Sequence, residues 1–247
     1  MTLKLGLQAR HKSLRTGASG AQKLATRHAL CVRLGDVSSH FLSKLDASHE
    51  MNDFFIFDPP TTLEAILRET ANLGFSMASE PQTGSLLRTL AASKPSGRFL
   101  ELGTGTGVAT AWLLAGMDQA SRLETVDNDP AVVAIARRHL GADPRVTFHL
   151  DDGAAFIEGQ MPGCYDFVFA DAWPGKFSHL EQALALVGAG GLYFIDDLLP
   201  QRNWPEGHGA NVAALIEHLT AHHLFVATRL AWASGLMILA RTREGSE

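Results

Sequence analysis

The sequence predicts an α/β protein: a doubly wound, mostly parallel sheet of seven strands with its last strand antiparallel, preceded by a helical cap. Three observations predict it. From Arg98 onward, short near-continuous apolar runs alternate with helical segments, the pattern of strands buried on both faces. A glycine-rich turn stands directly between the first such strand and its helix. The last two strands are joined only by "AWAS", too short for a crossover, so they form an antiparallel pair.

The elements follow in order. Thr61 with Glu64 three residues on reads as a capping box, and Leu63, Ile66, Leu67 and Leu73 supply the apolar face of a helix that begins near Thr61. A second helix runs from Pro81 to Ala92 with Leu86, Leu87 and Leu90 inward, until Pro95 and Gly97 break it. "RFLEL" (98–102) is the first strand, "VATAWLLAG" its helix and "RLETVD" (122–127) the second strand. Asp129 caps the next helix with Pro130 in its first position. "RVTFHL" and "YDFVFAD" are strands three and four. "LEQALALVGAG" is a helix ending in glycines, and "GLYFID" is strand five. The helix "GANVAALIEHLTAH" and the strands "LFVATRL" and "GLMILAR" complete the chain.

Composition narrows the function classes. At 247 residues and 46% hydrophobic, the chain is long enough for one well-buried domain, placed at residues 51–247. No apolar run approaches the roughly 18 residues that a membrane helix needs, which argues against a membrane partner. Two cysteines, Cys31 and Cys164, support no disulfide framework and fit a reducing, cytoplasmic setting. The net charge of −5 hides an asymmetry: residues 1–50 carry +5, and the remainder carries −10. The basic stretch reads as a tail or an over-long start, since globular patterning opens abruptly at Met51; a targeting segment and a nucleic-acid arm are the alternatives. The acidic body argues against nucleic acid as main partner.

"LELGTGTG" sets Gly103, Thr104, Gly105 and Gly107 between strand and helix, where glycine lets the backbone approach a ligand and leaves the helix N-terminus free to meet it. The spacing is GxGxG and leans away from the dinucleotide fingerprint GxGxxG. Asp127, at the end of the next strand, can accept from both hydroxyls of a ribose. Glu101 adds a buried acid near the place where a cationic ligand would lie.

These residues resemble the class I S-adenosylmethionine-dependent methyltransferases, whose fold is Rossmann-like. The resemblance implies that "ELGTGTG" wraps the methionine and ribose of S-adenosylmethionine, that Asp127 binds the ribose, and that Asp152, followed by Gly153, lies by the adenine. A helix N-cap at Asp151 and Asp152 is the local alternative. Upstream, Met77 followed by Gly84 in "GFSMASEPQTGSLLRTL" is similar to the segment that catechol and caffeoyl-CoA O-methyltransferases place over the cofactor. The resemblance covers residues 61–241.

Asp171 ends strand four, and Asp196 and Asp197 end strand five in "YFIDDLLP". If those strands are neighbours, three carboxylates converge, and a hard divalent cation such as Mg²⁺ would relieve their repulsion. The O-methyltransferase resemblance implies the same metal set, with Asp197 standing where these relatives carry an asparagine. It also implies transfer to a hydroxyl of a small-molecule acceptor, a tryptophan by the cofactor at Trp173, and a homodimer. These relatives carry a lysine three residues after the acid, where this chain has Pro174; Lys176 is two residues further on and is either the base or a surface lysine. His208, in a loop with Asn203 and Trp204, is the other candidate for the base. An NAD(P)-dependent oxidoreductase and a non-catalytic relative are the competing readings.

Overall fold

The computed structural model describes residues 58–202 and 204–243. The basic stretch, Cys31, Met51 and Asn203 lie outside the described residues. Among the described residues no helix is long and apolar enough to cross a membrane.

Seven strands form one sheet: β1 (Arg98–Leu102), β2 (Arg122–Asp127), β3 (Val146–Leu150), β4 (Tyr165–Ala170), β5 (Val187–Ile195), β6 (Phe225–Leu230) and β7 (Leu236–Arg241). Their order is β3-β2-β1-β4-β5-β7-β6. All pairings are parallel except those of β7, which lies antiparallel to both β5 and β6. The expected late hairpin is thus present, and its return strand is inserted beside β5. The order reverses between β1 and β4, so a crevice opens at the carboxyl ends of these two strands, where doubly wound sheets bind their ligands.

Among the described residues the helices are α1 (Leu63–Leu73), α2 (Pro81–Ala92), α3 (Val108–Gly116), α4 (Pro130–Leu140), α5 (Gly153–Glu158), α6 (Leu180–Ala185) and α7 (His208–Thr220). Strand alternation divides the core between them. Phe99, Phe167, Phe169 and Phe194 point to one face, with Leu63, Ile66, Leu87 and Trp112 from α1 to α3. Leu100, Val168, Tyr193 and Ile195 point to the other, with Phe156, Leu184 and Leu215 from α5 to α7. Trp112 is fully buried, and the side chain that Gly84 lacks would overlap its ring, with a Cβ 2.2 Å from Cδ1. Gly84 therefore lets α2 lie against α3. Truncating Trp112 to alanine would cost about 3–5 kcal/mol.

Two local readings are corrected. The capping box at Thr61 does not form: Thr62 is the N-cap of α1 without a side-chain cap bond, and Glu64 instead pairs with the exposed Arg68 one turn on. The helix expected to run into the glycines stops at Ala185, and β5 already begins at Val187. Gly190 and Gly191 lie in that strand where its register shifts: Tyr165 pairs with Val187 but Phe167 pairs with Leu192, so the extra residues are in β5. A Cβ on Gly191 would stand 2.8 Å from the Gly188 carbonyl oxygen. Asp129 caps α4 as expected, accepting from the Ala131 amide at 2.8 Å.

Candidate active site

A cleft of about 600 Å³ opens at the carboxyl edge of β1, β2, β4 and β5. Its two halves differ in chemistry.

The first half is backbone-rich. Gly103 leaves β1 with φ +101, and a side chain there would meet the Asp171 carbonyl oxygen at 2.7 Å. The β1 and β4 exits are thereby pressed together, and the Asp171 amide donates to the Leu102 carbonyl at 2.9 Å. Asp127 organises the loop from β2: one carboxylate oxygen accepts from the Gly105 amide and the other from the Asp129 amide, both at 2.9 Å. Gly107 caps α3 with no side chain to satisfy the first helical amides, which leaves those donors toward the cleft. Val108 and Ala109 line it.

Glu101 lies beneath this loop, fully buried. Its Oε2 accepts from the Thr110 and Thr125 hydroxyls, each at 2.6 Å, and Thr125 is in turn 2.6 Å from Thr104. Burial pushes its pKa up to about 8 against the pull of those two hydroxyls, with the charges of Asp171 and Asp127 adding to the rise. At neutral pH Glu101 is thus largely uncharged. It supports Thr104 from below and does not line the cleft.

The second half gathers charge and aromatic rings. Lys176 is 6% exposed, and its Nζ lies 3.0 Å from Asp171 Oδ1 and 3.9 Å from Asp197 Oδ2. Burial opposes the ammonium, but Asp171, Asp197 and Asp196 outweigh it and raise the lysine pKa. Burial raises Asp171 as well, beyond what the ion pair with Lys176 takes back. Asp196 is pushed up to about 7 by burial and by the neighbouring charges of Asp171 and Asp197. Glu80, at the same cleft, is also raised, by burial and then by Asp197. Around the opening, the His208 ring stands 4.7 Å from Trp204, 5.1 Å from Phe177 and 6.1 Å from Trp173.

Of the residues singled out in the sequence, Met77, Gly103, Thr104, Gly105, Asp127, Asp171, Trp173, Lys176, Asp196, Asp197 and His208 converge on this cleft. Met77 is 67% exposed and so belongs to the wall rather than the core. Gly107, Asp152 and Gly153 do not line it. Gly107 instead admits α4, since a Cβ there would sit 2.9 Å from Ala136 Cβ. Asp152 caps α5, accepting from the Ala154 and Ala155 amides at 2.9 and 3.0 Å, and Gly153 packs against Pro174. The surface-lysine reading of Lys176 is corrected by its burial.

The expected metal set is not shown. Among the described residues no three His, Cys, Asp or Glu side chains are gathered so as to hold a metal ion. The reason is local. Asp196 Oδ1 accepts from the Ser234 hydroxyl and from the Asp197 amide, Asp171 is held by Lys176 and by Ser79 at 3.3 Å, and the Asp197 side chain is half exposed. Ser79 and Ser234 went unread in the sequence. Ser234 is 38 residues from Asp196 and reaches it only because β7 returns beside β5.

Part of this cleft falls within a family match. Residues 100–198 match the family described as a methyltransferase domain. Over that stretch the chain is similar to a methyltransferase domain. A relative from Mycolicibacterium vanbaalenii, provisionally named an O-methyltransferase, is 33% identical over 119 residues, or 46% of this chain and 53% of the relative. The chain thus spans about half the length of the curated relatives it matches. The likeness in fold to solved structures extends further than that match. The O-methyltransferase from Bacillus cereus, solved in complex with SAH, is 22% identical with a TM-score of 0.66, covering 77% of this chain and 94% of that one. The O-methyltransferase of tomaymycin synthesis from Streptomyces achromogenes, solved with SAM, is 21% identical with the same TM-score and coverage.

Proposed function

We propose that this protein transfers a methyl group from S-adenosylmethionine to a hydroxyl oxygen of a small-molecule acceptor. The observation that carries the reading is the junction of two unlike halves in one cleft, a glycine-and-helix cradle held by Asp127 and a carboxylate-lysine cluster rimmed by aromatic rings.

The residues fit the cofactor. Free amides at the start of α3 suit its carboxylate, Asp127 suits the ribose hydroxyls, and the acids of the second half suit a sulfonium cation. When bound, S-adenosylmethionine supplies an electrophilic methyl: the carbon–sulfur bond breaks with its electron pair staying on sulfur as the oxygen–carbon bond forms. The chain's own residues do the rest. Asp171 lies at the meeting of the two halves and takes the proton of the acceptor hydroxyl, while Trp173, Phe177, Trp204 and His208 hold an aromatic acceptor flat at the opening. The acidity of the cleft argues for a small acceptor, because a phosphate backbone would be repelled.

A divalent cation does not fit the donor set described above, and no step is routed through one. Calorimetry with S-adenosylmethionine and with NAD⁺ tests the proposal. Saturable binding of the sulfonium and none of the nicotinamide is expected, and the reverse result would sink it. Asp171→Asn is expected to keep cofactor affinity within about threefold while slowing transfer by about 10²–10⁴.

A further inference from the structure

Lys176 is fixed where it stands by the fold. Its loop, 173–177, is wound on the Trp173 carbonyl, which accepts from the amides of Lys176 and Phe177 at 3.2 and 2.9 Å. The loop is then tied down from below, because the buried Tyr193 hydroxyl donates to the Gly175 carbonyl at 2.6 Å. Gly175 has φ +91, and a Cβ there would lie 2.6 Å from Leu102 Cδ1, so only glycine lets the loop sink this far. The consequence is a lysine whose ammonium is delivered inward, against the carboxylates at the ends of β4 and β5.

We infer that the Lys176 ammonium holds the place a divalent cation would take between Asp171, Asp196 and Asp197, and that it is the group that binds and orients the acceptor oxygen. The inference rests on the methyl-transfer reading and deepens it. The ammonium is 3.0 Å from Asp171 and 3.9 Å from Asp197, both Asp171 oxygens are bonded, to Lys176 and to Ser79, and Asp196 Oδ1 accepts from Ser234 and from the Asp197 amide. A divalent ion placed among these acids would stand beside a buried positive charge in a region where water screens little.

This arrangement changes which acceptors suit the site. A metal ion chelates two neighbouring oxygens, whereas one ammonium on a clamped stem presents its donors to one. The substrate class is therefore an aromatic compound with a single hydroxyl beside the ring, without need of a vicinal pair. In the step itself Lys176 keeps its protons and steadies the growing oxyanion. The hydroxyl proton passes to Asp171, the oxygen–carbon bond forms, and the carbon–sulfur bond breaks with its electron pair on sulfur.

Manganese binding tests the inference without knowledge of the acceptor. The full chain and its Lys176→Met variant are titrated with Mn²⁺ and free ion is read by electron paramagnetic resonance, after calorimetry with S-adenosylmethionine has shown that both are folded. Lys176→Gln serves as a second neutral variant should the first fail that check. The neutral variant is expected to bind one Mn²⁺ at least tenfold more tightly than the native chain, and addition of Asp196→Asn is expected to abolish the gain. Equal behaviour of the two proteins, whether both bind or both are silent, overturns the inference. Failure of the native chain to bind S-adenosylmethionine would instead overturn the methyl-transfer reading on which it rests.

Discussion

The Tyr193 hydroxyl donates to the Gly175 carbonyl across 2.6 Å, joining the middle of β5 to the loop that carries Lys176. Tyr193 is fully buried, and burial raises its pKa above the ordinary phenol value, so the hydroxyl remains a donor at every physiological pH. One bond thus couples core packing to the position of a charged group in the cleft.

Tyr193→Phe keeps the ring and removes the bond. The Gly175 carbonyl loses its donor, and an expected loss of about 1–3 kcal/mol follows. Urea unfolding measures this. The variant is also expected to slow methyl transfer while leaving S-adenosylmethionine affinity within about twofold, because the glycine-loop half is untouched.

Asp127→Ala acts on the opposite half. It removes the proposed ribose contact and both amide bonds that shape the turn after β1. Hydrogen bonds to a charged group contribute about 1.5–3 kcal/mol each, so cofactor affinity is expected to fall at least about tenfold. Calorimetry reads it, and an unchanged dissociation constant would remove Asp127 from the binding site.

Asp152 separates the two meanings that its sequence position allows. As the cap of α5, its replacement by alanine is expected to cost roughly 1 kcal/mol of stability. As a residue outside the cleft lining, it is expected to leave cofactor affinity within about twofold. A tenfold loss of affinity without loss of stability would restore the adenine contact that the family resemblance implies.

Stability is expected to depend on pH through Glu101 and Asp196, raised to about 8 and about 7. Each binds a proton more tightly in the folded chain than in the unfolded one. Their contribution is complete below the ordinary carboxylate pKa and is lost as pH climbs through about 7 to 8. Glu101→Gln removes one of the two, so its urea midpoint is expected to fall less between pH 5 and pH 8.5 than that of the native chain. Parallel profiles would show that Glu101 is ionised in the fold.

Much of this molecule is legible in the chain alone, and the reason is locality. Seven strands, the glycine turn, the Asp129 cap and the positions of Asp127, Asp171 and Asp196 at strand ends follow from periodicity and turn chemistry, which act over a few residues. The resemblance carried by "ELGTGTG" pointed to a methyltransferase, and the family match over residues 100–198 agrees with that. Even the errors are local: at α1 the competing cap Thr62 won, and at β5 the sheet register drew glycines into a strand that composition had assigned to a helix end.

What tertiary structure alone decided is the company each charge keeps. Spacing in a proline-glycine loop left Lys176 free to face solvent or the site; Tyr193, Gly175 and Leu102 turned it inward from positions distant in sequence. Asp196 and Asp197 are adjacent in sequence, yet the return of β7 brings Ser234 to one, and the other is half exposed. A carboxylate's chemistry depends on burial and on its partners, and the strand order that sets both is a long-range property that no short stretch encodes.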